Sequence, residues 1–218
     1  MPLPIVSVSR AAAKVTVPVN KTRDKVVAVT RFEQLIEEVR ACRACADLPL
    51  GPRPVFQLSP TARVLVAGQA PGTKVHASGV PFDDPSGERL RAWMGVSREE
   101  FHDAGRVAIL PMGLCYPGRA DSGGDAPPRP ECARRWRVQL LDQLPAIRLT
   151  LLIGTHAQQW ALGPGTMTDR VGSFRTHLPE RFALPHPSWR STIWMRRHPW
   201  FEADVLPALR AAVREALA

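Results

Sequence analysis

Apolar positions along this chain fall into two rhythms, and the alternation between them predicts its architecture. Phe32, Leu35, Ile36 and Val39 recur at helical spacing and predict a helix from Arg31 toward Cys42. Short runs rich in β-branched and aliphatic residues, at 63–67, 107–110, 149–153 and 182–184, predict buried strands. Asp84 and Pro85 have the chemistry of a helix N-cap and first helical residue, with Leu90, Trp93 and Met94 as that helix's buried face. Further helices are expected over 131–144, with Trp136, Leu140 and Leu141 inward, and over 201–217. In the latter Val205, Leu206, Leu209 and Val213 form the apolar side, and Pro207 interrupts or starts the helix. Four short strands, each followed by a helix or a glycine turn, imply a single α/β domain with a central four-stranded parallel sheet flanked by helices. That domain is expected to cover 29–218. Residues 1–28, without aromatics and broken by prolines, read as a basic, mobile arm.

Composition narrows the partners. Of 218 residues 44% are hydrophobic and 22% charged, the balance of a soluble globular protein. No apolar run approaches the roughly 18 residues of a membrane span. Met1-Pro2-Leu3-Pro4 does not open a secretory signal, so a cytoplasmic, monomeric protein is expected. The formal charge is +9, and every cation except Lys14, Lys21, Lys25 and Lys74 is Arg. A field of that sign favours a polyanion such as nucleic acid, and guanidinium groups suit bidentate phosphate contacts.

The first strand breaks abruptly into Gly68-Gln69-Ala70-Pro71-Gly72, followed by Gly79-Val80-Pro81-Phe82. A bare turn at the carboxyl end of a strand is where ligands sit in open α/β sheets, because its N–H groups can approach them unobstructed. The fourth strand leads into Pro185-His186-Pro187-Ser188. Between them a Gly/Pro-rich loop over 116–130 is too long for a simple connector and reads as functional.

Cys42 and Cys45 form Cys-x-x-Cys; Cys115 and Cys132 follow, separated by sixteen residues. Without signs of secretion a disulfide framework is the weaker explanation, and a redox Cys-x-x-Cys accounts for only two of the four. Four thiolates in this arrangement suit either a tetrahedral zinc or an iron–sulfur cluster.

Taken together, these motifs resemble the uracil-DNA glycosylase superfamily, nearest to its iron–sulfur branch, often called family 4. The first motif resembles Gly-Glu-Ala-Pro-Gly with Gly-x-Pro-Phe, the last a His-Pro-Ser type, and the cysteine spacing follows that branch. The resemblance spans most of the chain from Arg31 to Leu217. It implies a structural 4Fe–4S cluster on Cys42, Cys45, Cys115 and Cys132, with zinc as the alternative, and DNA as partner. It implies cleavage of the C1′–N bond of uracil or a related deaminated base through an oxocarbenium-like sugar, which starts base excision repair.

By the same resemblance His186 donates to the base O2, with the backbone near Gly68, Gln69 and Ala70 assisting, and Phe82 stacks on the flipped base. Ser188, Arg190, Arg196 and Arg197 contact DNA, and Trp189 and Trp194 lie among those cations. Two positions depart from the family. Gln69 stands where Glu is usual and Ala70 where another branch has Asp, so the turn carries no carboxylate to orient water; Gln69 retains an amide, and His76 is a further candidate. Pro111 stands where an Asn reads the uracil edge. These departures motivate the alternative of a non-catalytic uracil- or damaged-DNA-binding protein on the same scaffold.

Overall fold

The computed structural model describes residues 21–121 and 123–218. Up to position 20, the expected N-terminal arm lies outside the described residues. Its remainder belongs to helix α1, Lys21–Arg40, which therefore starts earlier than the apolar spacing suggested.

The four strands are β1 (Val64–Ala67), β2 (Val107–Ile109), β3 (Leu149–Ile153) and β4 (Arg181–Leu184). They form one parallel sheet in the order β2-β1-β3-β4. Val64 pairs with Val107 and Leu149, and Leu152 with Ala183. Side chains alternate across a pleated strand, so the sheet builds two apolar layers. Val64, Val66, Ile109, Leu149 and Leu151 face one layer, with Leu90, Trp93 and Met94 of one flanking helix and Val205, Leu209 and Val213 near the C-terminus. Leu65, Ala108 and Leu110 face the other, where Ile36, Val39, Trp136 and Leu140 pack.

Several helices follow the predicted chemistry. After a short helix α2 (Thr73–Ser78), which apolar spacing did not reveal, α3 (Pro85–Met94) begins where expected. The Asp84 side chain caps it, accepting from the Gly87 N–H at 2.8 Å. A fourth helix, α4 (Arg98–His102), leads to β2. The segment over 130–141 is helical but contains a π-turn, Ala133–Arg137, immediately after Cys132. Pro207 lies in the first turn of the helix Leu206–Leu217, which continues directly from a π-turn, Phe201–Val205.

The chain runs from β1 to β2 on one side, then crosses to β3 on the other side of β1. The carboxyl ends of β1 and β3 thus flank a topological switch point, the place where open α/β sheets bind ligands.

Candidate active site

The turn after β1 is held to the segment after β2 by backbone pairing. The Met112 N–H donates to the Gly68 carbonyl and the Gly113 N–H to the Gln69 carbonyl, each at 2.9 Å. Phe82 then folds back over this turn in an unusual conformation. Its φ is +54°, a left-handed geometry rare for an aromatic residue. Two features accommodate it. Gly87 has no Cβ, and one placed there would lie 1.8 Å from the Phe82 carbonyl oxygen. Arg91, buried beneath, donates to the same carbonyl at 3.4 Å. The Phe82 ring meets Phe101 edge-on at 5.9 Å between centroids, and its tip lies 3.3 Å from where a Cβ on Gly68 would stand. A side chain on Gly68 would press on the ring.

Gly68 and Phe82 line a cavity of about 170 Å³ that also takes in Gln69, Ala70, Pro111, His186 and Ser188, with Asp84, Ser86 and Asp125 completing the polar wall. It is smaller than the roughly 300–1,000 Å³ of ordinary small-molecule sites and on the scale of one flat base. His186 follows β4, and the backbone around it is anchored: its carbonyl accepts from Ser191 Oγ at 2.5 Å, and the Ser188 carbonyl from Arg89 Nη1 at 2.7 Å. Burial lowers the His186 pKa; the carboxylates of Asp84 and Asp125 pull the other way, and burial prevails. The imidazole is thus a neutral hydrogen-bond donor at pH 7.

Gln69 lines the cavity and its side chain also makes a structural contact. Its Nε2 donates to the Ala126 carbonyl at 3.0 Å, tying the β1 turn to the long loop. That loop brings Asp125 to the cavity mouth. No motif marks this carboxylate in the sequence; the only signals are the loop's length and its Gly123-Gly124-Asp125 triplet. His76 sits on α2 with its ring edge-on to Tyr116 at 6.4 Å, and it is not among the cavity-lining residues. Arg190 Nη1 donates to the Gly123 carbonyl at 3.4 Å, with its guanidinium 5.6 Å from the Trp189 ring centre. Arg196 and Arg197 are exposed at the end of the helix Ser191–Arg197, outside the cavity. Trp189 is 72% exposed, whereas Trp194 packs inward with its indole N–H on Thr168 Oγ1 at 2.9 Å.

Cys42, Cys45, Cys115 and Cys132 all line a second cavity of about 580 Å³. Two donors already point at sulfur: the Leu114 N–H to Cys132 Sγ at 3.3 Å and Trp136 Nε1 to Cys42 Sγ at 3.4 Å. Arg129, Arg134 and Arg135 surround the thiols, and Arg129 pairs with Asp47. Among the described residues no three Cys, His, Asp or Glu side chains close on a single ion. Burial raises the thiol of Cys115 to about 11 and shifts Cys45 and Cys132 upward, so a bound metal would displace protons here.

Fold and site define an α/β protein with a base-sized pocket at its switch point and a cysteine-lined cavity beside it. Residues 55–210 match the family model of the uracil DNA glycosylase superfamily, and the chain belongs to that superfamily. The match includes the Gly68–Phe82 segment, Cys115, Cys132 and His186, while Cys42 and Cys45 precede it. Among solved structures, the chain is similar to a Methanosarcina acetivorans protein studied by solution NMR and provisionally named a uracil DNA glycosylase. The two are 15% identical, with 72% of this chain and 97% of the other covered and a TM-score of 0.43. Among the described residues no helix is long and apolar enough to cross a membrane.

Proposed function

We propose that this protein is a monofunctional DNA glycosylase that hydrolyses the bond between deoxyribose C1′ and uracil or a related deaminated base. The supporting observation is the base-sized cavity in which His186 and carboxylates share one wall with the bare turn after β1. A base inside a duplex is out of reach, so the target flips into this cavity or arrives on a single strand. Phe82 offers its ring for stacking. As the C1′–N bond lengthens, negative charge grows on the base. Neutral His186 and the N–H groups of Gln69 and Ala70 are donors available to stabilise it.

Ser188 at the cavity wall and Arg190, Arg196 and Arg197 outside it are the proposed phosphate contacts, and the exposed Trp189 the proposed plug for the gap left by the base. Binding is therefore expected to weaken steeply with salt. Pro111 lines the cavity without an amide, so the pocket lacks that means of rejecting bases other than uracil.

The four cysteines fit a 4Fe–4S cluster. They line one cavity, and two N–H donors are already directed at sulfur, as such clusters favour. In that role the cluster holds the N-terminal helix and the long loop together, and the reaction itself runs on protein groups.

The test is release of free base from single- and double-stranded oligonucleotides containing uracil, hypoxanthine, xanthine or hydroxymethyluracil. Uracil release that disappears in His186→Ala supports the reading. No release of any of the four bases overturns it, and tight, base-selective binding with background turnover would instead identify a non-catalytic lesion-binding protein.

A further inference from the structure

Hydrolysis needs a group to hold the attacking water and accept its proton, and the β1 turn supplies none, since Gln69 is an amide and Ala70 is apolar. Among the described residues two acids line the cavity, Asp84 and Asp125. Asp84 is already engaged as the cap of α3. No hydrogen bond to the Asp125 carboxylate is found among the described residues, and its Oδ2 lies 3.6 Å from where a Cβ on Gly72 would stand. It is thus packed against the turn while keeping free lone pairs.

Asp125 is carried by a small hairpin within the long loop. The Ala126 N–H donates to the Gly118 carbonyl at 2.8 Å, and the Ala120 N–H to the Gly124 carbonyl at 3.0 Å. Two motif residues from elsewhere clamp this hairpin. Gln69 Nε2 holds the Ala126 carbonyl and Arg190 Nη1 the Gly123 carbonyl. Gly124 has a φ of +91°, a conformation that favours glycine, and lets the Arg190 guanidinium lie close against it.

We infer that Asp125 holds the attacking water and takes its proton, with Gln69 and Arg190 as positioning residues for its hairpin. This rests on the glycosylase reading above. In the reaction the C1′–N bond breaks and its electron pair leaves on the base, where His186 and the backbone N–H groups bear the charge. The water oxygen bonds to C1′ and its proton passes to the Asp125 carboxylate. The departing base is then protonated from solvent and Asp125 returns its proton there, so one water is added across the bond. The groups facing Asp125 are Arg119 and Arg190, which favour its anion, Asp84, which opposes it, and His186, which favours it only when protonated. Burial, the largest influence, raises its carboxyl above the ordinary range and makes the anion a stronger base.

The experiment is single-turnover release of uracil from a uracil-containing oligonucleotide as a function of pH, with oligonucleotide affinity and melting temperature measured in parallel. For Asp125→Asn the expected result is a fall of about 10²–10⁴-fold, the usual span of general-base loss, with affinity within about twofold and the acid limb of the rate profile gone. Asp125→Glu is expected to restore that limb at a lower rate. Gln69→Leu is expected to slow turnover but keep the limb, as a positioning role requires. Asp84→Asn, which keeps a capping oxygen, is expected to cost less than Asp125→Asn. Wild-type-like turnover in a folded Asp125→Asn, an unchanged acid limb in it, or a larger loss in Asp84→Asn overturns the inference. If the wild type releases no base, the glycosylase reading falls and takes this assignment with it. Turnover by the wild type with an indifferent Asp125→Asn removes the assignment alone.

Discussion

Replacing Gly87 with Ala is expected to destabilise the protein, although the same exchange inside a helix ordinarily stabilises by about 0.4–1 kcal/mol. The sign reverses because of Phe82. An added Cβ would lie 1.8 Å from the Phe82 carbonyl oxygen, 2.7 Å from its carbonyl carbon and 2.8 Å from its Cβ. None of these atoms belongs to the far end of a flexible side chain, so relief requires moving either the Phe82 backbone or the first turn of α3. Overpacking of this kind costs about 1–3 kcal/mol. Moving the turn also pulls the Gly87 N–H from Asp84, a cap worth about 1 kcal/mol. After the helix gain is subtracted, a net loss of about 1–3 kcal/mol remains. For a domain of this size that is a fall in melting temperature of about 2–12 °C.

Scanning calorimetry measures the shift, and single-turnover base release reports whether the aromatic wall has moved. Gly72→Ala is the control for stability: its φ is −82° and its Cβ would make only an ordinary 3.6 Å contact with Asp125, so its melting temperature should change little. A Gly87→Ala protein that melts no lower than wild type and releases base at the same rate refutes the reasoning.

The described fold should lose stability on mild acidification. Burial is the largest cause of a lowered pKa at His102, His156 and His186, so the unfolded chain takes up protons at these sites before the native one does. Their contribution is fully present above the unfolded value of about 6.5 and is lost as pH falls through the lower folded values. Urea midpoints at pH 7.5 and 5.5 test this, and an equal or higher midpoint at 5.5 contradicts it. For the cysteine cavity, protein purified without oxygen is expected to be brown with about four irons per chain. Cys132→Ala should lose the colour and most of the iron, whereas one zinc per chain in the wild type would refute the cluster assignment.

Much of the fold was legible because the strands are runs of aliphatic residues ending in glycine or proline, and the main helices show apolar faces over several turns. α2 was hidden because it is a single short stretch with only Val75 buried. The start of α1 is hidden because residues 21–28 carry charges without a clear apolar face and so read as part of the arm. In the site, the residues at the ends of β1, β2 and β4 could be named from sequence because a parallel sheet gathers those ends in one place. Asp125 could not. Its position depends on where a long loop folds back, and the contact that fixes it, Gln69 to Ala126, joins residues 57 apart. The use of Gln69 was equally hidden: its type showed that it could not be a base, but not which carbonyl its amide would reach.

The loop's attachment links the two cavities. Cys115 and Cys132 bracket the segment that carries Asp125, and Arg129, near its exit, pairs with Asp47 beside Cys45. A sixteen-residue segment free at both ends would have to lose considerable conformational entropy to hold one carboxylate against Gly72. Here the cost is divided. The backbone bonds over 118–126 stiffen the tip, Gln69 and Arg190 fasten it to the pocket, and any group bound by both Cys115 and Cys132 fixes its two ends. Moving the acid from the β1 turn to this loop therefore makes its placement depend on three anchor points rather than one. On the reading proposed above, a group bound by Cys115 and Cys132 would serve the reaction without electron transfer, by setting the spacing from which Asp125 is suspended.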